Sequence, residues 1–305
     1  MSVRAVVFAY HNVGVRCLKV LLAQGIEVAL VVTHEDNANE NVWFESVADV
    51  CREHGIPTIT PTDSKSTDLL AAVQTAQPDF IFSFYYRMML PSAVLAVAKR
   101  GAYNMHGSLL PKYRGRAPIN WAVLHGETET GASLHQMADK PDAGVILAQT
   151  AVPILPDDTA HEVFGKVVVA AEQTLWNVLP ALLAGHPPQL PNILAHGSYF
   201  GGRKPEDGRI DWNQPAQVIY NLHRAVAPPY PGAFTEINGQ KLVIGRARMA
   251  PASFHAAPNQ KPGLAVVDNR VFGIGADGHA LVIHELLQGD VPVSAQQLQQ
   301  LLALQ

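Results

Sequence analysis

Short apolar runs and amphipathic stretches alternate through the first two-thirds of the chain. Residues 5–9 form a continuous apolar run, the pattern of a buried strand. Apolar positions at Val15, Leu18, Leu21 and Leu22 then mark one face of a helix, with Asn12 placed to cap it and Gly25 to end it. Further strands are predicted at 28–33, 80–85, 102–105 and 145–149. Helices are predicted at 66–76, ending before Pro78, and at 91–100, closed by Gly101. Thr159-x-x-Glu162 reads as a capping box opening a helix to about Leu183, kinked near Pro180. Strands alternating with helices predict a Rossmann-like α/β fold: a mostly parallel sheet with helices on both faces.

The pattern changes after about Tyr199. Residues 201–205 (GGRKP) read as a linker, and Asn238-Gly239, Asp268-Asn269 and Asp277-Gly278 separate short β-rich runs at 234–237, 241–244, 264–267, 271–274 and 280–284. Such hairpin signals predict a small C-terminal β-barrel of OB-like type. The expected division is a domain at 1–200 and a small β-rich domain at 201–305. A chain of 305 residues is long enough for two cores.

Composition narrows the function. The net charge of −4 excludes a generally basic nucleic-acid coat. No apolar run approaches the 18 or more residues of a membrane span. The N-terminus lacks the apolar core and cleavage site of a signal peptide, so a cytoplasmic location is expected. Cys17 and Cys51 are the only cysteines, and the histidines include no His-Glu-x-x-His pair, so no metal site is expected. The turn after the first strand, AYHNVG, has neither a Gly-x-Gly-x-x-Gly fingerprint nor a Walker lysine, so fold alone assigns no function.

The chemistry concentrates in residues 101–118, GAYNMHGSLLPKYRGRAP. Asn104 and His106 are two apart, so on a strand they share a face at its C-terminal end, where open α/β sheets bind ligands. An amide donor and an imidazole aimed at one point suit an oxyanion, as acyl transfer requires; a polar strand end that satisfies loop backbone has the same spacing. The loop that follows carries Lys112, Arg114 and Arg116 among apolar anchors, either a solvated basic loop or a seat for an anionic substrate tail. Asp139 and Asp142 lie in a tight loop further on, where Asp142 could face His106.

Asn104-x-His106, the run SLLPKYRG, and an Asp 36 residues after the histidine together resemble the 10-formyltetrahydrofolate-dependent formyltransferases. The two-part layout resembles the larger members, which add a small C-terminal barrel to a Rossmann-like catalytic domain. The resemblance implies that His106 is the general acid/base, that Asn104 stabilises the oxyanion, and that Asp142 raises the pKa of His106. It also maps a folate pocket to Met88, Met89, Leu90 and Arg116 and to Ala138, Asp139, Lys140, Pro141 and Asp142. Within the family, VVFAYH, FSFYYR and GSYFGGRKPEDGRIDW most resemble members that formylate UDP-4-amino-4-deoxy-L-arabinose for lipid A modification and polymyxin resistance. In those the formyltransferase half can precede an NAD-dependent decarboxylase half, and no decarboxylase activity is expected of these 305 residues. The expected donor is 10-formyltetrahydrofolate and the expected partners are folate and a UDP-sugar, with no nucleic acid, membrane or metal. For the UDP, Tyr10, Arg114 and Arg203 are the candidates, since a diphosphate needs cations and uracil stacks on aromatics.

Rivals share the fold or the cofactor. Methionyl-tRNA formyltransferases, the resemblance implies, use a basic insertion after the second strand. Here residues 34–41 hold three acids and no Lys or Arg, which would repel phosphate. A non-catalytic folate-binding module would lack one of Asn104, His106 and Asp142. A formyl-folate hydrolase would carry a regulatory domain ahead of Val3, for which no room is expected. Another nucleotide-linked amino sugar remains open as acceptor.

Overall fold

The computed structural model describes residues 2–37, 41–254, 256–257 and 260–304. The chain forms two units: Met1–Pro118, Glu129–Pro153 and Gly165–Phe200 make the first, and Ile119–Thr128, Ile154–Phe164 and Gly201–Gln305 the second.

The first unit is built on a seven-stranded sheet. In chain order its elements begin with β1 (Arg4–Ala9), α1 (His11–Ala23), β2 (Glu27–Val32), α2 (Val47–His54), β3 (Thr58–Ile59), α3 (Thr67–Ala76), β4 (Phe80–Phe84), α4 (Ser92–Leu95) and β5 (Ala102–His106). After β6 (Arg114–Gly115) come β7 (Glu129–Gln136), β8 (Ile146–Pro153), α6 (Ala160–Leu183), whose first turn belongs to the second unit, and β9 (Tyr199–Phe200); α5 (Pro118–Leu124), between β6 and β7, lies almost wholly in the second unit. The strand order is β3-β2-β1-β4-β5-β7-β8, parallel from β3 to β5 and antiparallel at β7 and β8. β1 and β4 are almost wholly buried because helices cover both faces, which is why they read as unbroken apolar runs. Phe8, Ile81, Leu69, Val73 and Leu90 meet in one core beneath the sheet.

Local chemistry explains where the elements start and stop. Ser66 caps α3 by accepting from Leu69 N–H, and Thr159 and Glu162 bond each other's backbone N–H in a reciprocal box at the start of α6. Two sequence expectations are corrected. Asn12 does not cap α1; the helix starts at His11, and the Asn12 side-chain oxygen accepts from Glu45 N–H at 2.7 Å. The helix expected over 91–100 is only the single turn α4, because Lys99 and Arg100 donate their N–H groups to Pro78 and Asp79 rather than back along a helix.

The second unit carries α7 (Ala216–Val226), then β10 (Ala233–Ile237), β11 (Gln240–Met249), β12 (Gly263–Val267), β13 (Arg270–Ile274), β14 (Ala280–Gln288), β15 (Val291–Pro292) and α8 (Ala295–Leu302). The strands form a curled antiparallel sheet, a half-barrel of order β10-β11-β14-β13-β12 with β15 on β14. Asn238-Gly239 and Asp268-Asn269 turn with positive φ at both positions, as two-residue hairpins demand. Register shifts in the β11–β14 ladder between Ile244 and Ala247 supply extra bend. Among the described residues, no helix is long and apolar enough to cross a membrane.

Candidate functional site

The parallel sheet ends at β5, and β7 lies beside it running the other way. Asn104 therefore faces His135 directly across the ladder, and His106 faces Ser133. Opposed residues of an antiparallel pair share a face, so two strands place Asn104, His106, Ser133 and His135 in one patch.

Each of these side chains is held by buried partners. Ser133 donates to Ser108 O at 2.5 Å and accepts from Leu110 N–H and the Gln149 amide, which pins the loop following β5 onto β7. That loop presents the Tyr113 carbonyl to His106, whose Nε2–H donates to it at 2.7 Å. With Nε2 committed, the other nitrogen, Nδ1, faces Asp142 Oδ1 at 3.6 Å. His106 is 6% exposed. His135 donates from Nδ1 to Gln136 O at 2.9 Å, and its Nε2 lies 3.1 Å from Asn104 Nδ2 and 3.4 Å from Asp142 Oδ1.

Asp142 sits between the two imidazoles in the loop joining β7 to β8. Its φ of 50° turns the chain there, and Asn192 clamps the turn by donating to the carbonyls of Asp142 and Gly144. Burial opposes its ionisation and is the largest single influence. His106 and the Gly115 N–H, which donates to Oδ2 at 2.8 Å, oppose burial, and the carboxyl is held well below the usual carboxylate range. The product is a fixed negative charge between two imidazoles, beside an amide donor. Such a site can polarise a carbonyl, stabilise an oxyanion and deliver a proton.

Asn104, His106 and Asp142 are thus brought together as the sequence suggested. Two stretches mapped as the folate pocket also meet, because Ser92, just beyond Leu90, donates to Asp139 at 2.6 Å. Met89 is 57% exposed and Met88 half-buried, while the Leu90 side chain belongs to the core. Ala138, Asp139, Lys140 and Arg116 are exposed, and Pro141 is half-buried.

The expected acceptor contacts are not gathered in the same way. Tyr10 is only 4% exposed: its hydroxyl donates to Asp36, Arg87 stacks over its ring, and His34 and Phe44 meet it edge-on. No open ring face is left for a base to stack on. Arg114 is 8% exposed, and its Nε has no hydrogen-bond partner among the described residues. Arg203 belongs to the second unit, where its guanidinium lies over Trp121 and donates to Asp207 O. Of the acidic stretch 34–41, residues 38–40 lie outside the described residues.

His135 and Ser133 were missed from the sequence. Their signal is the same x-spaced polar pair that marked Asn104 and His106, but it acquires meaning only once β7 is known to run antiparallel beside β5.

The fold resembles several solved structures. One is WlaRD, a sugar 3N-formyl transferase determined with dTDP and 5-N-formyl-THF; it is 19% identical with a TM-score of 0.72, the match covering 92% of this chain and 97% of that one. Another is an N-formyltransferase from Helicobacter canadensis, in complex with folinic acid and dTDP-3-aminofucose; it is 20% identical with a TM-score of 0.71, covering 93% and 99%. HypX from Aquifex aeolicus, in complex with tetrahydrofolic acid, is 17% identical with a TM-score of 0.65, over 98% of this chain but 47% of that one. At these identities the likeness speaks for the fold. The family profile described as formyl transferase matches residues 4–179, and that described as formyl transferase, C-terminal domain, matches 203–301. The first of these alone spans more than half of the chain and contains Asn104, His106, His135 and Asp142, so the chain belongs to the formyl transferase family.

Proposed function

We propose that this protein transfers the formyl group of 10-formyltetrahydrofolate to the amine of UDP-4-amino-4-deoxy-L-arabinose, as the formyltransferase half of the polymyxin-resistance enzyme ArnA does. The observation that carries the reading is the ionised Asp142 between His106 and His135, with Asn104 alongside. Family membership supports formyl transfer as the reaction. The solved neighbours with formyl-folates and dTDP-sugars support a nucleotide-linked amino sugar as acceptor.

In this mechanism the neutral amine attacks the formyl carbon and the carbonyl π electrons move to oxygen. The Asn104 N–H and the positive charge of protonated His106 stabilise that oxyanion; one oxyanion donor is typically worth about 3 kcal/mol. As the tetrahedral intermediate collapses, the bond from the formyl carbon to folate N10 breaks and N10 takes a proton that His106 delivers. The attacking amine loses a proton. Water or the ionised Asp142 takes that proton. Met88, Met89 and Leu90, with Arg116 and residues 138–142, form the donor pocket, closed on one side by the Ser92–Asp139 bond. The acceptor's diphosphate falls to Arg114, whose buried Nε lacks a partner among the described residues. Tyr10 acts indirectly, by holding Asp36 and Arg87. The reaction takes place in the cytoplasm, in lipid A modification, alone or fused to a decarboxylase half.

The test offers purified protein 10-formyltetrahydrofolate with UDP-4-amino-4-deoxy-L-arabinose, a dTDP-linked amino sugar or methionyl-tRNA, and uses His106→Ala as control. Transfer to the UDP-sugar, lost by about 10²–10⁴ in the variant, is the expected result. Preference for the dTDP-sugar would replace the acceptor and keep the chemistry. Transfer to tRNA alone would overturn the assignment.

A further inference from the structure

We propose that His135 is a positioning residue: a neutral imidazole whose bare Nε2 holds the Asn104 amide in the one orientation that leaves an N–H free for the formyl oxygen. The inference rests on the formyl-transfer reading and deepens it.

A backbone carbonyl can only accept, so the His135 nitrogen facing Gln136 O, Nδ1, carries a hydrogen. In the neutral ring Nε2 is then an acceptor, and only the N–H edge of Asn104 can meet it at 3.1 Å. The amide is fixed against the half-turn that would exchange its oxygen and nitrogen. Its second N–H has no other partner among the described residues and remains for substrate.

Asp142 could undo this. Its Oδ1 is nearly equidistant from His135 Nε2, at 3.4 Å, and His106 Nδ1, at 3.6 Å. One extra proton shared by the two rings has two possible seats. On His135 it would point N–H at the carboxylate, force Asn104 to turn its oxygen inward, and leave His106 Nδ1 bare against a negative charge. On His106 every donor finds an acceptor: His106 N–H to Asp142, and Asn104 N–H to His135. The Asn104–His135 bond thus keeps the shared proton on His106, where the reaction needs it. His135 itself is 2% exposed and touches no substrate position of its own; it acts on the donor through Asn104.

The test has two readouts on the full-length protein. Long-range proton–nitrogen correlation of histidine-labelled protein is expected to show His135 with hydrogen on Nδ1 and none on Nε2, and Asn104→Ala is expected to move the Nε2 resonance. A protonated Nε2, or a resonance indifferent to Asn104→Ala, overturns the proposal whatever the acceptor proves to be. In the transfer assay His135→Leu is expected to lower kcat about 10- to 100-fold, less than the 10²–10³ of losing the donor itself, with KM for the folate little changed. His135→Gln, which keeps an acceptor, recovers most of the rate. In an Asn104→Ala background His135→Leu costs less than about threefold, because the group it positions is gone. Equal losses in both backgrounds would mean that His135 only supports the fold. Absence of transfer by the wild type would overturn the formyl-transfer reading while the tautomer readout still decides the role of His135.

Discussion

Replacing Asp142 by Asn isolates the charge that the site is built around. The amide keeps the shape of the carboxylate, and its oxygen can still accept from Gly115 N–H. What disappears is the attraction between a carboxylate and protonated His106 across 3.6 Å. With an effective dielectric constant of about 20, unit charges at that distance attract by roughly 4–5 kcal/mol. The amide dipole returns part of this, which leaves a loss of about 3–4 kcal/mol, or on the order of 10²–10³ in rate. Single-turnover formyl transfer at pH 7 measures it directly, since product release does not enter, with folate affinity followed by fluorescence. The expected result is a single-turnover rate constant down by two to three orders of magnitude, with Kd for the folate changed by much less. A loss below about tenfold would refute the idea that this charge acts on His106. A parallel collapse of folate binding would instead make Asp142 a pocket wall.

Three further outcomes follow from the packing. Ser133→Ala removes the hydroxyl that joins Ser108, Leu110 and Gln149, and one buried unsatisfied group costs about 1–3 kcal/mol; a urea midpoint unchanged from wild type would contradict the pinned loop. Gly144→Ala drives a methyl group into the Gln136 carbonyl, backbone that cannot step aside, so both melting temperature and transfer should fall. Gly165→Ala meets nothing within 4 Å inside α6 and should stabilise by about 0.5–1 kcal/mol. The depressed Asp142 carboxyl contributes stability that is fully present above about pH 4, its unfolded value, and is lost as acid protonates it. Between pH 7 and pH 3 the wild type should therefore lose more stability than Asp142→Asn, and parallel losses would contradict the linkage.

Continuous apolar runs announced β1, β2 and β4 because both faces of those strands are covered, and paired positive-φ residues announced two of the C-terminal hairpins. Where tertiary bonds decide, the sequence misled: 91–100 has helical composition, but the bonds from Lys99 and Arg100 to the strand below end it after one turn. At the site the same division holds. Asn104 and His106 are two apart on one strand and could be paired from spacing. Asp142 was a candidate neighbour of His106 from its loop and gained its role only through family resemblance, while His135 came through neither, since its place depends on the direction of β7. Tyr10 shows the reverse error: an aromatic at a strand end invites a stacking role, yet burial has taken both its faces and its hydroxyl.

The path of the chain between β5 and β7 has an evolutionary corollary. After delivering Asn104 and His106, the polypeptide leaves the first unit at Pro118, contributes Ile119–Thr128 to the second, and re-enters at Glu129 to deliver Ser133 and His135. It crosses again at 154–164, just before the body of α6. The two units therefore cannot be exchanged like beads at a single junction near residue 200. A recombination event there would transplant the half-barrel without ten residues that grow between the two strands of the reaction centre. A chain that dispenses with the half-barrel therefore has to replace Ile119–Thr128 and Ile154–Phe164 as well, so that loss is more than a cut of the C-terminal third.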